Sequence, residues 1–308
     1  KIAFKIKKAA ERSIKMGHPW VFENSIIKQN KEGASGDLAI IFDQSKNQVL
    51  AVGLYDPGAI IRIRVIHHGG SAQINAEFFE MKFSEAYDKR INLLETETTA
   101  YRLIYGENDG LPGLIVDIYN DYAVVKLYSE VWVGFMSMFS SLLTRKFKVE
   151  TIILRLNRLL QQKNLTYKDG EVLVGDLEQE EVVFHEHGLK FKANLIKGHK
   201  TGYFLDHRHN RLKVRTLSMG RKVLDIFAYA GGFSVNAIAG GARKVVSVDI
   251  SQQALQMAKS NINLNFDDVR HEVMAMDAFE AIKQLIRQEK LFGLVIVDPP
   301  SFAKSADQ

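Results

Sequence analysis

The C-terminal part of the chain carries four short apolar runs, each with a carboxylate at its end, separated by three helical stretches. The apolar runs 222–226, 244–249, about 270–276 and 294–297 close on Asp225, Asp249, Asp277 and Asp298, with helical periodicity over 233–239, 252–263 and 278–288 between them. Buried strands alternating with helices of this length predict a parallel α/β sheet with right-handed crossovers, a Rossmann-like fold class. Four acids at strand ends then fall on the C-terminal edge, where open sheets of this kind take their ligands.

The first crossing is the most informative. Lys222-Val-Leu-Asp-Ile-Phe-Ala-Tyr-Ala-Gly-Gly-Phe-Ser234 reads as a buried strand, a turn over Gly231 and Gly232, and a helix from Phe233. Glycines at that turn let the backbone approach a ligand. No Lys-Ser/Thr follows them, so the turn is not a triphosphate cradle. Asp249, at the end of the second strand, is placed to accept two hydrogen bonds from a ribose diol. Asp277, beside Ala278, suits an adenine edge. In Asp298-Pro299-Pro300-Ser301-Phe302 two prolines stiffen the loop, Asp298 offers acceptors and Phe302 a ring for base stacking.

The 308 residues include no cysteine, which removes disulfides, thiolate metal sites and any thiol nucleophile from the chain as given. No apolar run reaches the roughly 20 residues that span a bilayer, so a cytoplasmic protein with no membrane partner is expected. The net charge of +5 is uneven: residues 1–75 carry +5, 76–190 carry −6 and 191–308 carry +6. Basic segments flanking an acidic one suit a polyanion, or a solvated basic face.

The chain before the repeat divides in two. Residues 1–72 look like a small β domain, with apolar segments at 21–22, 38–42, 49–55 and 60–66 separated by turn clusters. Arg62 and Arg64 share one face of the last of these, read as the wet side of the sheet, with phosphate contact as the alternative. His18 and Trp20 read as packing anchors near a Pro turn, with base stacking as the alternative. Residues 73–190 follow as an α+β domain: an amphipathic helix over 75–94, strands at 100–105, 114–119 and 122–128, a helix over 131–146 and a strand at 151–156. The loop 106–113 reads as a turn. His185-Glu186-His187 and His207-Arg208-His209 lack a second half with metal-ligand spacing, so no metal site is expected.

Taken together, these motifs resemble class I S-adenosylmethionine-dependent methyltransferases. Gly198-His-Lys-Thr-Gly-Tyr-Phe-Leu-Asp206-x-Arg208, the run Arg102–Gly113 and His18-Pro-Trp-Val-Phe22 narrow the resemblance to the bacterial large-subunit ribosomal RNA cytosine-C5 methyltransferase family, with an N-terminal PUA domain (1–72), a central EEHEE domain (73–190) and a methyltransferase domain (191–308). The resemblance implies S-adenosylmethionine as cofactor and ribosomal RNA as partner, with a homodimer as a further candidate. It implies that Asp225, Phe227, Ala228, Gly231 and Gly232 hold the methionine end of the cofactor, Asp249 the ribose, and Ile250, Asp277 and Ala278 the adenine, with Phe204 at the mouth. Arg208, Pro299, Phe302 and Lys304 would meet RNA, and Asp298 would orient the target base.

C5 of cytosine does not attack a sulfonium unaided; the family's route first adds a thiolate to C6. The resemblance therefore implies that the sheet continues past Gln308 and that the nucleophilic cysteine lies there. Methylation of a guanine nitrogen, which needs no thiol, and a non-catalytic RNA-binding or ribosome-assembly factor are the competing readings.

Overall fold

The computed structural model describes residues 1–177 and 179–300, and within them the chain forms two compact units. The first comprises Lys1–Glu95, Thr99–Glu180 and Asn194–Tyr203; the second comprises Thr96–Thr98, Glu181–Ala193 and the chain from Phe204 onward.

The first unit opens with β1 (Ile2–Ile6), α1 (Lys8–Lys15), β2 (Trp20–Phe22), β3 (Ile26–Gln29), β4 (Leu38–Phe42), β5 (Val49–Tyr55) and β6 (Ile61–His68). The strands form one sheet in the order β2-β6-β5-β4-β1-β3. β1 and β3 escape notice in the sequence because lysines interrupt their apolar residues, yet Ile2, Phe4 and Ile6 lie at 0–1% exposure in the core. β6 is covered on both faces, which corrects the wet-face reading of its arginines. Arg64 is buried against Asp56 and the Ile61 carbonyl, and Arg62 pairs with Glu23. His18 and Trp20 pack edge to face at 5.8 Å, and the Trp20 indole donates to Glu107.

There follow α2 (Ala76–Asp88), α3 (Ile91–Leu94), β7 (Ala100–Tyr105), β8 (Leu114–Tyr119), β9 (Tyr122–Leu127), α4 (Met136–Phe147), β10 (Thr151–Leu156), α5 (Arg158–Gln161) and β11 (Glu171–Val174), with the sheet ordered β11-β10-β9-β8-β7. The single helix expected over 75–94 breaks at Lys89-Arg90, where both side chains turn to Asp109. That commits the acid of the 106–113 loop to structure. Phe79 and Phe83 of α2 pack on Trp132 and Phe139, each ring contributing about 1.5–3 kcal/mol by burial.

The second unit begins with the hairpin β12 (Glu181–Glu186) and β13 (Leu189–Asn194), then α6 (Arg208–Leu217). The repeat follows as β14 (Lys222–Ile226), α7 (Gly232–Ala239), β15 (Lys244–Asp249), α8 (Gln252–Asn263), β16 (His271–Ala275), α9 (Ala278–Arg287) and β17 (Leu294–Val297). All pairings are parallel, in the order β16-β15-β14-β17. Leu224, Ile226, Val246 and Val248 pack on α9 residues on one face; Val223, Val245 and Ile296 pack on Val214 and Ala237 on the other. Glu186, from the His-Glu-His run, is 2% exposed and takes two hydrogen bonds from Arg211 at 2.7 and 2.6 Å.

Candidate active site

Strand order places the ligand crevice. From β14 the chain winds outward through β15 to β16 and then returns to the other side of β14 as β17, so the direction of winding reverses between β14 and β17. A sheet with such a switch opens a crevice at the carboxyl ends of those two strands. The turn after Asp225 and the loop beginning at Asp298 flank it.

The turn is held tightly. Phe227, Tyr229 and Gly231 have φ of +64°, +47° and +75°, left-handed values that only glycine adopts without strain. Four hydrogen bonds hold this path: Ala228 N–H to the Val248 carbonyl at 3.0 Å, Tyr229 N–H to Asp249 Oδ2 at 2.9 Å, Gly231 N–H to the Ala228 carbonyl at 2.8 Å, and Asn261 Nδ2 to the Ala230 carbonyl at 2.9 Å. Gly231 is required by helix packing, since a Cβ there would come within 2.7 Å of Ala258 Cβ. Gly232 opens α7, and its carbonyl accepts from Asn236.

Asp225 lies beneath the turn with no exposure. Its Oδ2 accepts from Ser234 Oγ at 2.6 Å, while Oδ1 is buried without a hydrogen-bond partner. Burial, reinforced by the charges of Asp298 and Asp249 and opposed by the Ser234 hydrogen bonds, raises its pKa to about 7. A buried oxygen that lacks a donor is a large unfavourable term unless a ligand supplies one. A cationic ammonium at Oδ1 would supply the donor and stabilise the ionised form, so this position fits the amino-acid end of S-adenosylmethionine.

Along the sheet edge, Asp249 Oδ1 accepts from Ser251 N–H at 2.9 Å and Oδ2 from Tyr229 N–H, leaving each oxygen a further lone pair for a diol. Ile250 beside it is 76% exposed, an apolar face past the end of β15. Asp277 caps α9, its Oδ1 accepting from the amides of Phe279 and Glu280. Ala278 turns its methyl into the core, so what it offers a ligand is backbone. Phe279, absent from the sequence-based set, is 64% exposed just past the neighbouring strand.

His207 brings Asp298 beside the segment that carries Phe204 and Arg208. The Phe204 ring meets the Tyr229 ring edge to face at 5.3 Å, and its carbonyl accepts from Arg211 at 2.9 Å. His207 lies 6.0 Å from the Phe233 ring, with its Nε2 3.7 Å from Asp298 Oδ2. Arg208 has a buried Nε–H without a partner. The sequence marked His207 only within the His207-Arg208-His209 run, which lacks metal-ligand spacing. Pro299 is exposed; Phe302 and Lys304 lie outside the described residues.

The S-adenosylmethionine-dependent methyltransferase family matches residues 155–307, and a PUA-like domain family matches residues 4–68. A protein assigned as an S-adenosylmethionine-dependent methyltransferase from Streptococcus mutans shares the fold at a TM-score of 0.81 and 23% identity, covering 98% of this chain and 78% of its own. A second solved methyltransferase, crystallised with S-adenosylhomocysteine, superposes at 0.84 and 23% identity over 99% of this chain and 77% of its own. Fold and site together define a class I S-adenosylmethionine-dependent methyltransferase with an N-terminal PUA-like domain.

The ribosomal RNA large subunit methyltransferase of Deinococcus radiodurans is 39% identical over 312 residues, covering 99% of this chain and 76% of the relative. Ribosomal RNA large subunit methyltransferase I of Serratia proteamaculans is 35% identical over 306 residues, covering 98% and 77%. The chain belongs to this family of ribosomal RNA large subunit methyltransferases. It is an S-adenosylmethionine-dependent enzyme. Among the described residues no helix is long and apolar enough to cross a membrane.

Proposed function

We propose that the chain methylates C5 of a cytosine in large-subunit ribosomal RNA. The observation that supports this is that His207, in the 198–208 run that resembles the cytosine-C5 family, stands beside Asp298 of the methyltransferase Asp-Pro-Pro loop. The cofactor supplies an electrophilic methyl group. Asp225 holds the ammonium, the backbone of 227–232 seats the amino-acid chain, Asp249 takes the ribose diol, and Ile250, Asp277 and the Ala278 backbone border the adenine. Asp298 accepts from the exocyclic amino group of the base and fixes which edge faces the methyl. Arg208, Pro299, Phe302 and Lys304 belong to the surface that meets the RNA. The three-domain division at 72/73 and 190/191, a cytoplasmic location and a homodimer are part of this reading.

Attack through C5 calls for a thiolate at C6, and these 308 residues contain none. The reading therefore requires a cysteine outside them. A second reading is methylation of a guanine nitrogen, in which the Asp298-Pro299-Pro300 loop orients an amino group and no covalent adduct forms. Nucleoside mass spectrometry of large-subunit rRNA from a deletion strain separates the two. Loss of one 5-methylcytidine is expected; loss of a methylguanosine with 5-methylcytidine intact overturns the carbon assignment.

A further inference from the structure

Asp225 stands at one end of a buried hydrogen-bond chain that the methyl-transfer site does not explain. β14 and β15 pair so that Asp225 and Ser247 are direct lateral neighbours, and β15 pairs with β16 so that Val245 lies opposite His271. One face of the sheet thus carries an acid, a hydroxyl and an imidazole in a row, and α7 lays Ser234 over them. Ser234 Oγ is 2.6 Å from Asp225 Oδ2 and 2.7 Å from Ser247 Oγ, which is 2.8 Å from His271 Nε2. Both serines and the acid have no exposure, whereas His271 is only partly buried and sits on the edge strand.

Each hydroxyl has one proton to donate, so the row has two directions. With Asp225 protonated it runs from Oδ2–H through Ser234 and Ser247 to an accepting Nε2. With Asp225 ionised it runs the other way, from Nε2–H toward the carboxylate. An ammonium seated at Oδ1 selects the ionised form.

We propose that Ser234, Ser247 and His271 are positioning residues that give Asp225 a proton outlet, so that capture of the methyl donor's ammonium at Oδ1 expels the carboxyl proton along them to the sheet edge. The Asp225 proton passes to Ser234 Oγ as that hydroxyl passes its own to Ser247. Ser247 protonates His271 Nε2, and the imidazolium yields its Nδ1 proton to solvent. Heavy-atom bonding is unchanged. The inference rests on Asp225 being the ammonium contact.

The charged groups around the row agree with this direction. Asp249 and Asp298 face Asp225 from β15 and from beyond β17, and with its burial they hold it protonated to about pH 7. Burial, with Lys259 of α8 adding to it and Glu272 opposing, lowers His271 to about 4; Glu272 is itself paired with Lys244 of β15. The imidazole therefore hands on a proton without keeping it. α6 turns Val214 to this face, and α7 contributes the uncharged Ser234.

Two measurements on the whole chain with S-adenosylhomocysteine test the proposal. Calorimetry in buffers of different ionisation enthalpy should find close to one proton released per ligand at about pH 6, falling to roughly one-tenth by about pH 8. Stopped-flow mixing with a pH indicator, alongside intrinsic fluorescence, should show the proton appearing in step with ligand capture. In Ser247→Ala and in His271→Gln, which keeps a donor to Ser247 but cannot relay, the proton should lag behind capture; Ser247→Thr should restore the timing. A merely structural role would change stability in Ser247→Ala without separating the two traces.

Absence of proton release from the wild type, or synchronous traces in both blocked variants, overturns the proposal. Undiminished ligand affinity in Asp225→Asn overturns the underlying assignment of Asp225 instead. Weakened affinity together with loss of proton release in that variant supports both.

Discussion

Asp117 and Asp225 are both fully buried carboxylates on interior strands, and their surroundings could hardly differ more. Asp117, on β8, takes two hydrogen bonds from Arg102 at 2.8 and 3.0 Å and a third from Thr201 at 2.5 Å. Asp225, on β14, is hydrogen-bonded by Ser234 and has no cation, and its buried Oδ1 lacks a partner. Asp117 is thus neutralised within its own unit, as Glu186 of the hairpin is by Arg211 of α6. A carboxylate whose donors are all supplied by its own fold is architecture. One left short of a donor at the carboxyl end of a parallel strand is poised for a ligand.

Removing the cation from the closed case should give the largest effect. Arg102→Met leaves Asp117 buried and unneutralised, with an expected loss of about 3–5 kcal/mol in urea denaturation at neutral pH. A loss below about 1 kcal/mol would mean that Asp117 does not depend on its partner and would break the contrast.

The open case should respond in the opposite sense. Asp225 binds its proton more tightly folded than unfolded, so its contribution to stability is fully present below the ordinary carboxylate range and is lost as pH rises toward about 7. Asp225→Asn should therefore stabilise the ligand-free protein by about 2–4 kcal/mol at pH 8, with the gain vanishing near pH 4, while weakening S-adenosylhomocysteine binding. A wild-type melting profile that rises steadily from pH 5 to pH 8, with no benefit from the amide, would count against the unpaired state.

Two smaller effects concern the frame around Asp225. Gly231→Ala puts a Cβ against Ala258 in a left-handed conformation and should cost about 2 kcal/mol in thermal unfolding. No loss would show that α8 can give way. Asp277→Ala removes the cap of α9 and should cost about 1 kcal/mol. If ligand affinity falls much further than stability, Asp277 meets the cofactor as well as capping.

How much of this was legible in the sequence depends on the range of the interaction. The alternation of strands and helices from Lys222 onward is a local periodicity, so β14 to β17 emerge within a residue or two of their expected limits. The acids at strand ends were visible for the same reason. Arg64 was misjudged because alternation shows that a strand has two faces without showing that both are covered. The pairing of Glu186 with Arg211 spans 25 residues and leaves no local trace. Ser234, Ser247 and His271 form a row only once the lateral register of three parallel strands is known, and neither composition nor spacing encodes that.

The turn from Phe227 to Gly231 has a kinetic consequence. Phe227 and Tyr229 hold left-handed backbones at about 1–3 kcal/mol each, and four hydrogen bonds keep them there. The conformational work of shaping this segment is completed when the domain folds, so little ordering is left for the moment of encounter. Capture of the methyl donor should then be limited by diffusion into the crevice, and differences in affinity among variants of this turn should appear mainly in how long the ligand stays.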